Sequence, residues 1–82
     1  MKIYLYSTLG CHLCEKAKSI LWPLLSQYQY ELVEVDIATS DELIERYGVL
    51  IPVLQNPVNA QELNWPFDSD DVEQFFAASQ KV

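Results

Sequence analysis

Apolar and polar residues alternate at the start of the chain and then change to a helical spacing. Residues Lys2–Tyr6 alternate and are rich in β-forming side chains, which predicts a strand. From about His12 to Tyr28, apolar residues recur three and four positions apart, as on the buried face of an α-helix. Because Pro23 in this segment cannot donate a backbone hydrogen bond, we expect a kink there or two short helices.

The middle of the chain predicts a second strand and a short second helix. Residues Leu32–Ile37 are mostly apolar and β-branched, which favours a strand. Thr39 stands three residues before Glu42, which is the pattern of a capping box with Thr39 as the N-cap. The apolar residues expected to face inward from this helix are Leu43, Ile44 and Tyr47.

The last third predicts two strands and a final helix. A strand over 52–55 and an antiparallel strand over 60–65 are separated by a turn. Asp68 or Ser69 can cap the last helix, whose apolar face comprises Val72, Phe75, Phe76 and Ser79. The order β-α-β-α-β-β-α predicts one α/β domain over residues 1–82, a two-layer fold with a four-stranded mixed sheet and helices packed on it.

The net charge narrows the range of partners. The 82 residues include 12 acidic and 5 basic side chains, for a formal charge of −7. Such a surface repels phosphate groups, so we expect neither nucleic acid nor a membrane as a partner. The apolar stretch at the N-terminus is too short for a signal peptide, so a cytoplasmic location is expected. We also expect the protein to be a monomer.

Two cysteines stand three residues apart where the first helix is predicted to begin. In dithiol–disulfide exchange, one thiolate attacks a substrate disulfide and a second nearby thiol resolves the intermediate. Cys11 faces the free N–H groups and the positive dipole end of the helix, and both stabilise a thiolate. Cys14 lies one turn deeper on the apolar face. The asymmetry indicates that Cys11 attacks and Cys14 resolves.

Other interpretations of the cysteine pair stay open. An intramolecular zinc site needs four protein ligands, or three and a water, and the chain offers two cysteines and His12. Because His12 lies between the cysteines, it reaches the same metal poorly, so no metal is expected within one chain. A metal or iron–sulfur scaffold could form across a dimer, and a redox-inert peptide-binding module would need neither thiol. His12 either stabilises a thiolate at Cys11 when protonated or lies exposed without a role.

Pro52 is a second candidate site residue, because proline is unusual at the start of a central strand. A trans bond at a strand start and a cis Ile51–Pro52 bond are both consistent with the sequence. A cis bond would turn the backbone of Ile51 outward, so that its N–H and C=O groups could pair with an extended substrate.

Several motifs occur in the order found in a known family. They are Tyr6-Ser7, Gly10-Cys11-His12-Leu13-Cys14, Val35-Asp36-Ile37, Tyr47-Gly48-Val49 and Ile51-Pro52-Val53-Leu54. Nearly the whole chain resembles the glutaredoxin-like proteins of the thioredoxin superfamily. It is most similar to the short bacterial type that carries a Trp-Pro-Phe-Asp segment, here Trp65-Pro66-Phe67-Asp68.

The resemblance implies a thioredoxin-like fold, a nucleophilic Cys11, a resolving Cys14 and a cis Pro52. It also implies an oxidoreductase that needs no cofactor except glutathione as reductant or substrate. The partners would be a protein or low-molecular-weight disulfide and a thiol reductant. The residues expected to contact the substrate are His12, Leu13, Ile51, Pro52, Trp65, Phe67 and Asp70.

The sequence departs from typical glutaredoxins around the thiols. Thr8 and Leu9 replace a basic residue, Leu13 replaces an aromatic one, and residues 65–67 replace a Gly-Gly pair. A glutathione carboxylate would meet a negatively charged protein without that basic partner. We therefore predict that glutathione is a poor substrate, and that an exposed Trp65 or Phe67 contacts a protein disulfide instead.

Overall fold

The fold is built on a four-stranded mixed sheet. A computed structural model describes residues 1–80, and the last two residues of the predicted domain lie outside the described residues. The sheet has the order β2-β1-β3-β4, with β1 parallel to β2 and the other neighbours antiparallel. The strands are β1 (Lys2–Ser7), β2 (Glu31–Asp36), β3 (Val53–Gln55) and β4 (Glu62–Asn64). The predicted α/β class and mixed sheet are confirmed.

Residues 1–80 also form three α-helices and one 3-10 turn. They are α1 (His12–Tyr28), the turn Ile37–Thr39, α2 (Asp41–Tyr47) and α3 (Ser69–Ser79). Pro23 lies inside α1, which is one unbroken helix, so the prediction of two short helices is wrong. The helix keeps its buried face through this region with Leu21, Leu24 and Leu25. Burying such side chains contributes about 1.5–3 kcal/mol each, which outweighs a proline cost of about 3 kcal/mol.

The predicted cap of α2 is displaced by one residue. Ser40, not Thr39, is the N-cap, and its hydroxyl accepts a hydrogen bond from the Leu43 N–H at 3.4 Å. Thr39 belongs to the preceding 3-10 turn, and its hydroxyl donates to the carbonyl of Asp36 at 2.8 Å. The prediction failed because the 3-10 turn uses the residues just after β2 and moves the start of α2 along the chain.

Helices cover both faces of the sheet, because successive residues of β1 point to opposite sides. Ile3 and Leu5 pack on one face with apolar residues of α1 and α3, including Leu21 and Phe76. Tyr6 packs on the other face with residues of β3, the 3-10 turn and α2, namely Val53, Ile37 and Tyr47. The fold therefore has three layers, helix, sheet and helix, where two were predicted. Ile44 of α2 is exposed, although its apolar character predicted an inward position.

One end of every strand lies at the same edge of the sheet. Ser7 pairs with Asp36, Tyr6 pairs with Val53, and Val53 pairs with Asn64. The carboxyl ends of β1, β2 and β4 and the start of β3 therefore lie together, and we call this the upper edge. Among residues 1–80, no helix combines the length and the apolar character needed to cross a membrane.

Candidate active site

The loop after β1 places a cysteine at the first turn of α1. Gly10 has φ of +78°, a backbone conformation that other residues adopt with strain. Cys11 follows in an extended conformation, and the helix begins at the next residue. Because the loop leaves the upper edge at Ser7, the Cys11 side chain lies at the amino end of α1 beside that edge.

Cys11 and Cys14 form a disulfide with a distance of 5.2 Å between their Cα atoms. The Sγ of Cys11 accepts a hydrogen bond from the Cys14 N–H at 3.1 Å, so this sulfur serves as the N-cap of α1. Cys11 is half-buried, whereas only 2% of Cys14 is exposed. A substrate can therefore approach the sulfur of Cys11, while the sulfur of Cys14 is shielded by the fold.

A cleft of about 170 Å³ opens beside Cys14, between the loop after β1, the start of α1 and the end of β2. Lys18 lines this cleft, with its Nζ 2.9 Å from a carboxylate oxygen of Glu34 and 3.4 Å from one of Glu15. The hydrogen bond to Glu34 is the main reason that the pKa of Lys18 is raised, with help from the charge of Glu15. This ion pair cannot be recognised in the sequence, because Lys18 and Glu34 come from different elements.

Pro52 lies at the upper edge with the disulfide loop. Pro52 is buried and directly precedes Val53, which pairs with Tyr6 near the end of β1. The Ile51–Pro52 peptide bond is cis. The side chain of Ile51 is half-buried and packs against the residues under α2. Pro52 thus lies opposite the point where the chain leaves β1 toward Cys11.

The backbone N–H of Ile51 is already hydrogen-bonded within the protein and is not free to bind a substrate. Its N–H donates to the carbonyl of Tyr47 at 3.2 Å, and the N–H of Leu50 donates to the same carbonyl at 2.8 Å. The last carbonyls of a helix lack partners within the helix, and the loop after α2 satisfies this one. The expectation that both backbone groups of Ile51 can pair with a substrate is therefore wrong for the N–H, and only its C=O stays a candidate.

Trp65 and Phe67 contact each other edge to face, with 5.0 Å between the ring centroids, but they differ in exposure. The Trp65 N–H donates to the carbonyl of Pro52 at 3.3 Å, which brings the half-buried Trp65 beside Pro52, and the Trp65–Pro66 bond is also cis. Only 4% of Phe67 is exposed, because it belongs to the core under α1 and α3. The prediction of an exposed Phe67 at the substrate surface is therefore wrong, whereas Trp65 keeps a partly accessible ring.

The other predicted contact residues are exposed. His12 and Leu13 form the first turn of α1 next to Cys11. Asp70, in the first turn of α3, lines a shallow depression with Tyr28 near the far end of α1. That depression shares no residue with the disulfide loop. Within residues 1–80, no three His, Cys, Asp or Glu side chains come close enough together to hold a metal ion.

Exposed apolar side chains near the disulfide were also missed. Leu9 is 92% exposed in the loop before Cys11, and Val49 is 97% exposed in the loop after α2. Leu50, next to Val49, is partly exposed as well. The available signal was that these apolar residues lie outside every predicted helix and strand.

Comparison with protein families gives one match. A family model described as a glutaredoxin-like domain (DUF836) matches residues 2–77, which is nearly the whole chain. A search of curated proteins found no match.

Solved structures with the same fold include proteins from two bacteria. A crystal structure of a structural-genomics target from X. campestris is 32% identical, with a TM-score of 0.78, covering 93% of this chain and 96% of that chain. A solution structure of a protein from Nitrosomonas europaea is 31% identical, with a TM-score of 0.77, covering 90% and 88% of the two chains. A malarial protein with 17% identity and a TM-score of 0.64, covering 98% and 92%, shares the fold alone.

Proposed function

Because this chain belongs to the glutaredoxin-like domain family, we propose that it is an oxidoreductase that exchanges thiols and disulfides through Cys11 and Cys14. The observation that carries this proposal is the asymmetry of the disulfide at the start of α1. One sulfur caps the helix and is accessible, and the other is buried one turn deeper. Such an arrangement suits a nucleophile followed by a resolving thiol.

The reaction begins from the reduced pair. The thiolate of Cys11 attacks one sulfur of a substrate disulfide, the substrate S–S bond breaks, and the second substrate sulfur leaves and takes up a proton. The thiol of Cys14 then gives its proton to solvent and attacks the sulfur of Cys11. The mixed disulfide breaks, the first substrate sulfur leaves as a thiol, and the Cys11–Cys14 bond forms. Two electrons pass from the protein to the substrate.

The helix supports the first step through its amino end. The Cys14 N–H already donates to the sulfur of Cys11 in the disulfide form, and the same donor would stabilise a thiolate in the reduced form. The positive end of the helix dipole acts in the same direction. Since Cys14 follows within one turn, it is close enough to resolve the mixed disulfide and too buried to attack a large substrate itself.

The oxidised pair needs a thiol to reduce it again, and glutathione or a dithiol protein would supply the electrons. The substrate is a protein or low-molecular-weight disulfide, and no metal or further cofactor takes part. We expect the reaction in the cytoplasm, where a dithiol of this kind is kept reduced, and we expect the protein to act as a monomer.

An exchange assay with bis(2-hydroxyethyl) disulfide tests the proposal, with dithiothreitol as the reductant. The wild type should turn over this neutral substrate. Cys11→Ser should abolish turnover, because the attacking sulfur is gone. Cys14→Ser, reduced and freed of dithiothreitol before the disulfide is added, should form a mixed disulfide that persists, visible as a mass increase of one substrate thiol, because the resolving thiol is missing.

The proposal fails if Cys11→Ser is as active as the wild type, or if Cys14→Ser forms no mixed disulfide. Circular dichroism of each variant is the control, since loss of activity counts only in a folded protein. An inert wild type with an intact fold would favour a binding module that uses the Pro52 surface without redox chemistry.

A further inference from the structure

Two segments that lead to the upper edge carry four exposed or partly exposed apolar side chains. Leu9 and Leu13 lie on either side of Cys11 in sequence, and Val49 and Leu50 lie in the loop that leads to Pro52. We call these four residues the apolar rim. Apolar groups that stay exposed beside a functional group are a common mark of a surface that another molecule covers.

Both segments of the apolar rim meet at the upper edge. Leu9 follows the last residue of β1 by two positions, and Leu50 precedes Pro52 by two. Adjacent strands lie about 4.8 Å apart, and β1 and β3 are adjacent. A surface that presents a disulfide to Cys11 must approach at this edge, so it covers part of the apolar rim.

The surroundings of the apolar rim are acidic. Asp36 ends β2 opposite Ser7 and lines the same cleft as Leu9. Glu15 and Glu34 line the cleft beside Cys14, and Lys18, which also lines it, is paired with both. Arg46, three residues before Val49, adds one positive charge at the end of α2. Lys16 on the exposed side of α1 offsets only part of this charge, since the chain as a whole carries −7. The edge therefore attracts positive charge.

We propose that the substrate disulfide lies in a protein segment with apolar and positively charged side chains next to its cysteine. The apolar side chains cover the apolar rim, and the positive ones face Asp36 and the carboxylates of the cleft beside Cys14. A second copy of this chain is a poor occupant, because two acidic surfaces repel each other, and the same holds for an anionic membrane. This inference rests on the proposed function and names its class of substrate.

Three small disulfides that differ in charge test whether the protein prefers a positively charged substrate. Reduced protein should react with cystamine, which is cationic, roughly tenfold faster at low salt than with dithiodiglycolate, which is anionic. Each rate is divided by the rate of dithiothreitol with the same disulfide, which removes differences in intrinsic reactivity. Added salt should slow the cationic substrate, speed the anionic one and leave neutral bis(2-hydroxyethyl) disulfide nearly unchanged.

Two carboxylates on the same strand supply a matched pair of variants. Asp36→Asn removes a charge at the upper edge and should lower the preference for cystamine by about twofold, since Debye screening limits the effect to nearby charges. Glu31→Gln removes the same charge at the opposite end of β2 and should leave the preference unchanged. Asparagine can still accept the Ala38 N–H bond that Asp36 accepts, so the local turn is kept.

A peptide disulfide tests whether apolar side chains of the substrate contact the apolar rim. The substrate is a short peptide with leucine and lysine next to a cysteine that is disulfide-bonded to mercaptoethanol. Leu9→Ser and Val49→Ser should each lower kcat/KM for this peptide several-fold relative to kcat/KM for bis(2-hydroxyethyl) disulfide. Val58→Ser is the control, because Val58 is also exposed but lies in the turn between β3 and β4 at the other edge of the sheet.

The results distinguish failure of the proposed function from failure of the proposed substrate class. If the wild type does not react even with the neutral disulfide, the proposed function fails. If the neutral disulfide reacts but charge, salt and the rim variants change nothing, the substrate class is wrong while the oxidoreductase stands. A dimer in solution that Val49→Ser abolishes would also overturn the inference, since a second copy would then cover the apolar rim.

Discussion

Cys11 has two structural roles. Helix N-caps are usually oxygen-bearing side chains, and here a sulfur accepts the N–H that serine or aspartate would otherwise take. The sequence predicted which cysteine begins the helix and which lies deeper, because the apolar spacing includes Cys14 and excludes Cys11. The structure adds that Cys14 lines a cleft with Lys18 and Glu34.

Tyr47 is a second residue with a distinct role, because it is buried and its hydroxyl is hydrogen-bonded to a carboxylate. Its ring stacks on Tyr6, with 4.2 Å between the ring centroids, and its hydroxyl donates to a carboxylate oxygen of Glu62. Burial is the main cause that raises the pKa of Tyr47 far above its usual value, and the hydrogen bond and charge of Glu62 act in the same direction. The folded protein therefore keeps this proton when the unfolded chain loses it.

Tyr47→Phe should change how stability depends on pH. Below about pH 10, the usual tyrosine value, both states hold the proton and the free energy of unfolding does not depend on this group. Above it, the unfolded chain ionises first, so the wild type loses up to about 1.4 kcal/mol per pH unit from Tyr47. Urea unfolding of the oxidised protein between pH 8 and 11 should show a shallower decline in the variant. Because burial also raises the pKa of Tyr30, some decline should remain, and equal declines in both proteins would contradict the prediction.

At the scale of elements, each α-helix begins with a side-chain cap. Cys11 caps α1, Ser40 caps α2 and Asp68 caps α3. Two of these starts were visible in the sequence, and the third was missed by one residue. The reason is that a capping pattern can be recognised locally, whereas the 3-10 turn before α2 depends on where β2 ends in the sheet.

Asp68→Ala should destabilise the protein by about 1 kcal/mol. The carboxylate of Asp68 accepts from the Asp71 N–H at 2.9 Å, and the Asp71 side chain accepts from the Asp68 N–H at 3.1 Å, so the change removes half of a capping box. Urea unfolding at neutral pH measures the loss.

Two further variants make the cap measurement specific. Asp68→Asn should retain most of the stability, since the amide oxygen can accept the same bond. Glu73→Ala, at an exposed position of the same helix, should change the stability much less. If Asp68→Ala and Glu73→Ala cost the same, the capping box contributes nothing measurable.

At the scale of the whole molecule, the charge of −7 acts on every charged partner. Glutathione carries a net negative charge at neutral pH, and Thr8 and Leu9 stand where a basic residue would receive its carboxylate. Reduction of the oxidised protein by glutathione should therefore be slow and should become faster as salt screens the repulsion. Reduction by uncharged dithiothreitol should depend little on salt and serves as the control. A glutathione rate equal to that of a typical glutaredoxin, or one that falls with added salt, would contradict this expectation.

The sequence by itself determined the order of elements, the position of the two cysteines at a helix start and the acidic character of the surface. These properties depend on neighbours along the chain, or on composition, and need no knowledge of the fold. Strand alternation, helical spacing and the helix caps are all local patterns. The family resemblance adds the thioredoxin-like arrangement on the same residues.

Only the tertiary structure decided which candidate groups are available. Phe67 is buried and Trp65 is not, although both are aromatic residues of one short segment. The Ile51 N–H is taken by Tyr47, and Lys18 is paired with Glu34 across two elements. Such outcomes depend on which distant segments pack together. Burial and hydrogen-bond partners are set across space, and neither spacing nor composition encodes them.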